Sequence, residues 1–104
     1  MKKTIFVYTT CPSKEDAKKI AHGLLKNGII ACANIVPITS IYRFEGDIAT
    51  EEEYGVYLKT YEDFYERIIK ELEAIHPYSV PCIAKIDVEF NDKYYGWLTR
   101  EIEA

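Results

Sequence analysis

The stretch Ile29–Lys59, IIACANIVPITSIYRFEGDIATEEEYGVYLK, decides the fold. Its first part, Ile29 to Phe44, is a long extended run rich in isoleucine and valine, and Glu45-Gly46-Asp47 makes a turn. Tyr54, Val56 and Leu58 then alternate with Gly55, Tyr57 and Lys59, the period-two pattern of a strand. Two strands joined by a short turn, with no helix between them, form an antiparallel pair. Pro37 withholds one ladder hydrogen bond, which predicts a bulge or an edge position there.

Helical segments flank this pair on both sides. Upstream, Thr4 to Thr10 reads as a strand through Ile5, Phe6, Val7 and Tyr8. Ser13-Lys14-Glu15-Asp16 follows as a capping box, and Ala17, Ile20, Ala21, Leu24 and Leu25 form one apolar helical stripe that ends at Lys26-Asn27-Gly28. Downstream, a second helix is expected from about Thr60, capped against Asp63, with Tyr61, Phe64, Tyr65, Ile68, Leu72 and Ile75 as its stripe and Pro77 as its stop. Pro81 to Phe90 reads as a last strand, Ala84, Ile86, Val88 and Phe90 sharing a face, and Asn91 caps a terminal helix carrying Tyr94, Tyr95, Leu98 and Ile102. The order β-α-β-β-α-β plus a C-terminal helix predicts an α+β fold, the ferredoxin-like split βαβ sandwich, as a single domain over residues 1–104. Two helices cover one face of a four-stranded antiparallel sheet in that arrangement. The other face is expected to lie open and to invite self-association.

Composition narrows the function. The chain of 104 residues is 48% hydrophobic, enough for a core without staples, and carries a net charge of −4 from 17 acidic and 13 basic side chains. That balance, with no basic run beyond Met1-Lys2-Lys3, argues against nucleic acid. The apolar run Ile5–Tyr8 is too short for a leader core or a membrane span, so a cytoplasmic protein is expected. Three widely spaced cysteines, Cys11, Cys32 and Cys82, cannot form a full disulfide framework and lack CxxC pairing; free thiols in a reducing compartment fit them. Nine tyrosines, four phenylalanines and one tryptophan exceed what a minimal core needs and point to packing between subunits.

This topology serves several chemistries. An RNA-recognition module carries basic and aromatic residues on its third strand, but Glu53-Tyr54-Gly55-Val56-Tyr57-Leu58 starts with an acid. An acylphosphatase-like hydrolase needs a phosphate cradle and an arginine after the first strand, where Thr9-Thr10-Cys11-Pro12-Ser13 has a proline and no arginine. Metal binding is the third use. Cys11, in the first strand-to-helix loop, and His76, at the end of the second helix, together would suit copper or zinc, although spacing alone leaves open whether they meet. Cys32 and Cys82 read as small core residues and His22 as a surface histidine; His76 also fits a helix C-cap. Glu51-Glu52-Glu53 reads as a solvated acidic edge, and no catalytic triad assembles from two histidines.

In this order along the chain, Thr9-Thr10-Cys11-Pro12, Ala31-Cys32-Ala33-Asn34-Ile35-Val36-Pro37, Thr39-Ser40-Ile41-Tyr42-Arg43-Phe44-Glu45-Gly46, Leu58-Lys59-Thr60, His76-Pro77-Tyr78-Ser79-Val80-Pro81 and Trp97-Leu98 resemble the CutA1 family of divalent-cation tolerance proteins. The resemblance implies a tight homotrimer of PII-like architecture, its long hairpins reaching neighbouring subunits. It also implies a non-enzymatic, cytoplasmic role in tolerance of copper and other divalent cations. Cu2+ or another divalent cation would be bound, no organic cofactor is expected, and the implied metal residues are Cys11 and His76. Ile75 stands where some relatives carry a second histidine, Phe44 where tryptophan is usual, and Ile38 where a glycine commonly follows the proline. A PII-like trimer also implies a second class of function, a regulatory scaffold or small-ligand sensor with Tyr42, Arg43, Lys59 and Tyr78 in its subunit clefts beside His76. Convergence of Arg43 and Lys59 would favour anions.

Overall fold

The computed structural model describes residues 1–102. Strand β1 (Thr4–Cys11) leads into helix α1 (Lys14–Lys26); strands β2 (Cys32–Phe44) and β3 (Asp47–Tyr61) follow; then a 3-10 turn (Glu62–Phe64), helix α2 (Tyr65–Ile75), strand β4 (Ala84–Val88) and helix α3 (Asp92–Glu101). The sheet order is β2-β3-β1-β4, every pairing antiparallel. This is the ferredoxin-like fold with an added C-terminal helix, as the sequence pattern predicts.

Alternation along β1 and β3 sorts side chains onto two faces. Ile5, Val7, Thr9 and Cys11 face the helices together with Val56, Leu58 and Thr60, and all seven are fully buried. Helices α1 and α2 close this layer with Ala17, Ile20 and Leu24, and with Ile68 and Leu72. Leu25 and Ile75, expected in the two helical stripes, are 40% and 52% exposed because they lie at the margins of those faces. The Ser13 cap forms as read: its hydroxyl accepts from the Asp16 amide at 3.1 Å and donates to the Asp16 carboxylate at 2.9 Å.

Several boundaries differ from expectation, each for a physical reason. Thr60 does not cap the second helix. It belongs to β3, where its hydroxyl donates to the Ile29 carbonyl at 2.6 Å, and α2 starts five residues later without a side-chain cap. The ladder with β1 carries the strand on to Tyr61, opposite Thr4. Asn91 stands at the N-cap position of α3, but its side chain makes no capping bond. Pro37 causes no bulge, since β2 and β3 pair residue for residue from Cys32↔Lys59 to Phe44↔Asp47; the edge position of β2 accommodates it. The last strand is shorter than the expected Pro81–Phe90 run because its ladder with β1 spans only Tyr8↔Ala84 to Thr4↔Val88.

The open face is covered at one end. Helix α3 brings Leu98, at 0% exposure, and Ile102 against Tyr61 and Ala31, while Tyr94 meets Phe90 and its hydroxyl takes a hydrogen bond from Lys59 at 3.3 Å. The rest of that face shows Phe6, Tyr8 and Tyr57 in edge and tilted ring contacts. Beyond Tyr54 the hairpin leaves the sheet as a two-stranded ribbon, because β1 ends opposite that residue. It gives the molecule its long dimension of 46 Å against 25 and 21 Å. A two-residue turn closes it, with Glu45 at φ 51° and Gly46 at φ 81°, the paired left-handed conformation that matches strand twist.

Candidate functional site

The side chains that carry chemistry gather where β1 stops and the chain returns from α2. Cys11 is the last residue of β1, not part of a loop, because the ladder runs on to Tyr54; its side chain is fully buried. Burial, then the negative charges of Asp16 and Glu53, push its thiol up to about 11, so it is protonated at neutral pH. His76 caps the C-terminus of α2, its backbone N–H donating to the Leu72 carbonyl at 2.8 Å. The ring turns toward β1. Its Nδ1 accepts from the Tyr78 amide at 3.1 Å, which assigns the neutral ring's proton to Nε2, and Nε2 donates to the Thr9 hydroxyl at 3.0 Å. Burial holds the imidazole below its ordinary value, against a backbone contact with Thr10 and the charge of Asp16. Thr9 is one side-chain position from Cys11 on the same strand face, so the structure brings His76 into the corner of Cys11 while directing both ring nitrogens elsewhere.

Tyr78 continues the same corner. Its hydroxyl donates to the Glu53 carboxylate, its ring lies 5.3 Å from that of His76, and burial followed by Glu53 raises the phenol well above its usual range. Glu53 is only 8% exposed, so the triplet Glu51-Glu52-Glu53 is not a uniform solvated edge. Its other members bond outward, Glu52 accepting from Thr39 and Glu51 from Tyr42. Thr9 and Glu53 escaped the sequence reading. Period-two alternation held the signal for both: Thr9 shares the buried face of Val7, and Glu53 the face of Gly55 and Tyr57.

The residues expected in a cleft do not gather within one chain. Arg43 pairs across the hairpin with Ile48 near the tip, whereas Lys59 pairs with Cys32 at the base. At about 3.4 Å per residue along a strand, that places them tens of ångströms apart. Tyr42 and Arg43, being adjacent strand residues, point to opposite faces. Cys32 is half-buried and Cys82 exposed; neither is the core residue its neighbours suggested, because Cys32 shares the open face with Lys59 and Cys82 precedes β4 in the connecting loop. All three thiols are free. His22 is exposed on α1, as read.

Chemically the corner is a saturated hydrogen-bond cluster. His76 is a donor toward Thr9 and has no carboxylate on Nδ1, so it cannot draw a proton from that hydroxyl. Among the described residues no three His, Cys, Asp or Glu side chains come together as a metal set. The acylphosphatase-like phosphate cradle is absent from the first turn: Thr9 to Cys11 lie in β1, and the Ser13 hydroxyl already takes the Asp16 amide. The RNA-like echo has a packing explanation, since a Cβ on Gly55 would sit 3.0 Å from the Tyr8 hydroxyl. No helix among the described residues is long and apolar enough to cross a membrane.

Comparison with known proteins places this architecture. The divalent-cation tolerance protein CutA of Pyrococcus horikoshii is 44% identical over 98 residues, 93% of this chain and 96% of that protein. The crystal structure of the divalent ion tolerance protein CutA1 from Ehrlichia chaffeensis superposes with a TM-score of 0.92 at 42% identity, over 97% of this chain and 96% of that one. The crystal structure of CutA1 from Oryza sativa superposes with a TM-score of 0.91 at 33% identity, over 97% and 94%. The family described as CutA1 divalent ion tolerance protein matches residues 5–101, and the chain belongs to that family.

Proposed function

We propose that this protein serves divalent-cation tolerance as a non-enzymatic homotrimer that binds the cation directly and prefers copper. The observation that carries the reading is the family match over residues 5–101. The exposed hairpin supports the assembly: Ile41 is 69% exposed, Phe44 58% and Ile48 70%, on a ribbon that has no third strand beside it among the described residues. Apolar side chains at that density are normally covered by a partner, and a second and third copy of the chain are the partners proposed. The non-enzymatic part of the reading is supported by His76, which donates to Thr9 instead of accepting from it and so is not set to activate that hydroxyl. The preference for copper rests on thiol donors, of which Cys82 and Cys32 reach solvent. Three free thiols also accord with a cytoplasmic setting.

Native mass spectrometry of the reduced protein during copper and zinc titrations tests this. The expected result is the mass of three chains with a fixed small number of copper ions per chain. A monomer at micromolar concentration would sink the assembly, and uptake without defined stoichiometry would sink direct binding. A second reading, a PII-like regulatory trimer with a small ligand in its clefts, draws on the separation of Arg43 and Lys59. In that reading a neighbouring subunit would have to bring Arg43 to Lys59, which lie at opposite ends of the hairpin within one chain.

A further inference from the structure

The family resemblance puts a cation at Cys11 and His76, and the geometry gives these residues other work. We infer that Cys11 and His76 do not bind metal in this chain. His76 is instead a positioning residue, a two-pronged tie that docks the segment between α2 and β4 onto the end of β1 and sets Tyr78 against Glu53.

Three observations lead there. Access comes first: Cys11 is 0% exposed and packs in the main core cluster with Ala17 and Val56, so an ion would have to open the sheet–helix layer to reach it. Donor supply is the second. A metal takes an unprotonated imidazole nitrogen, yet Nδ1 already accepts the Tyr78 amide and Nε2 carries the proton that goes to Thr9. A structural zinc site closes with about four ligands, and no three candidate ligands meet among the described residues. The third is what the bonds accomplish. Residues 76–83 run between α2 and β4 outside helix and strand. They meet the sheet near the end of β1, at Thr9, and just beyond it on β3, at Glu53. His76 fastens that segment to β1 through Thr9, and Tyr78 fastens it to β3 through Glu53. The Nδ1 bond to the amide two residues on copies an Asx turn, which fixes the direction in which Tyr78 leaves the helix. A metal on Nδ1 would displace the Tyr78 amide, and a metal on Nε2 would move the ring proton to Nδ1 and undo both prongs at once.

The test uses the full reduced chain and its Cys11→Ser and His76→Asn variants, titrated with zinc and copper ions. Ion number and affinity are expected to match the parent in both variants. Loss of one ion per chain in either, or a fall in affinity of about tenfold or more, the usual penalty for disturbing a metal site, would overturn the inference. A parent that takes up no ion would remove the proposed cation binding while leaving the tie to be judged by a separate readout. Nitrogen-15 spectra of the parent should show His76 protonated at Nε2, unmoved by one equivalent of zinc, with the Tyr78 amide protected from exchange. His76→Asn, whose side-chain carbonyl can make the same Asx turn, should keep that protection, and His76→Leu should lose it. A proton on Nδ1, a zinc-shifted ring, or protection that survives His76→Leu would each defeat the tie.

Discussion

The two ends of one hairpin differ in almost everything but their backbone. From Cys32↔Lys59 to Phe44↔Asp47 the pairing never slips. At the base, Val56 and Leu58 are 0% exposed under two helices; toward the tip, Ile41 and Ile48 are 69% and 70% exposed. The same β-branched, alternating sequence builds strand in both places. What separates them is a third strand: β1 supplies one along Tyr54–Tyr61, and among the described residues no strand supplies one along Asp47–Glu53. An isolated two-stranded ribbon is marginal in water. The comparison therefore teaches that the base belongs to the stability of the single chain, and it assigns the tip to that of the proposed trimer.

Substitutions can break or sharpen this division. Leu58→Ala removes a fully buried side chain from the base and should lower unfolding stability by about 2–5 kcal/mol, read from denaturant midpoints. A loss well under 1 kcal/mol would mean the base is not the core. Thr60→Val keeps the shape but leaves the Ile29 carbonyl without its 2.6 Å donor, and should cost about 1–3 kcal/mol. No loss there would return Thr60 to a merely local role. Ile48→Lys at the tip should change the stability of the single chain by less than about 0.5 kcal/mol. In the proposed trimer it should cost more, by an amount that depends on protein concentration. Thermal unfolding at two widely separated concentrations distinguishes the cases, and an effect independent of concentration would place the tip with the base.

Local signals were read well where one physical requirement dominated. Ser13 heads an apolar helical stripe and caps it; Gly46 follows Glu45 in a turn that demands positive φ. Reading failed where two requirements shared the same residues. Thr60 with Asp63 has the spacing of a cap, but threonine is also a good strand residue. The pairing of β3 with β1, continued by Glu62 N–H on the Lys3 carbonyl, decided for strand. The triplet Glu51-Glu52-Glu53 looked like one solvated feature because charge dominates such a run. The pleat turned the third member to a different face from the second, where Tyr78 waits. The open face was overestimated for a similar reason: the apolar residues of the last helix were legible, but not that they would fold back on Tyr61.

By itself the sequence determined the kind and order of the elements, their buried faces and the family, because these follow from periodicity, caps, turns and short motifs that act over a few residues. Only the tertiary structure decided that Cys11 is sealed in the core, that His76 donates to Thr9 and accepts from Tyr78, and that Arg43 and Lys59 stand apart. Those outcomes depend on where β1 ends relative to β3 and on where the segment from α2 meets the two strands. Contacts between residues far apart in the chain set both, and no local pattern encodes them.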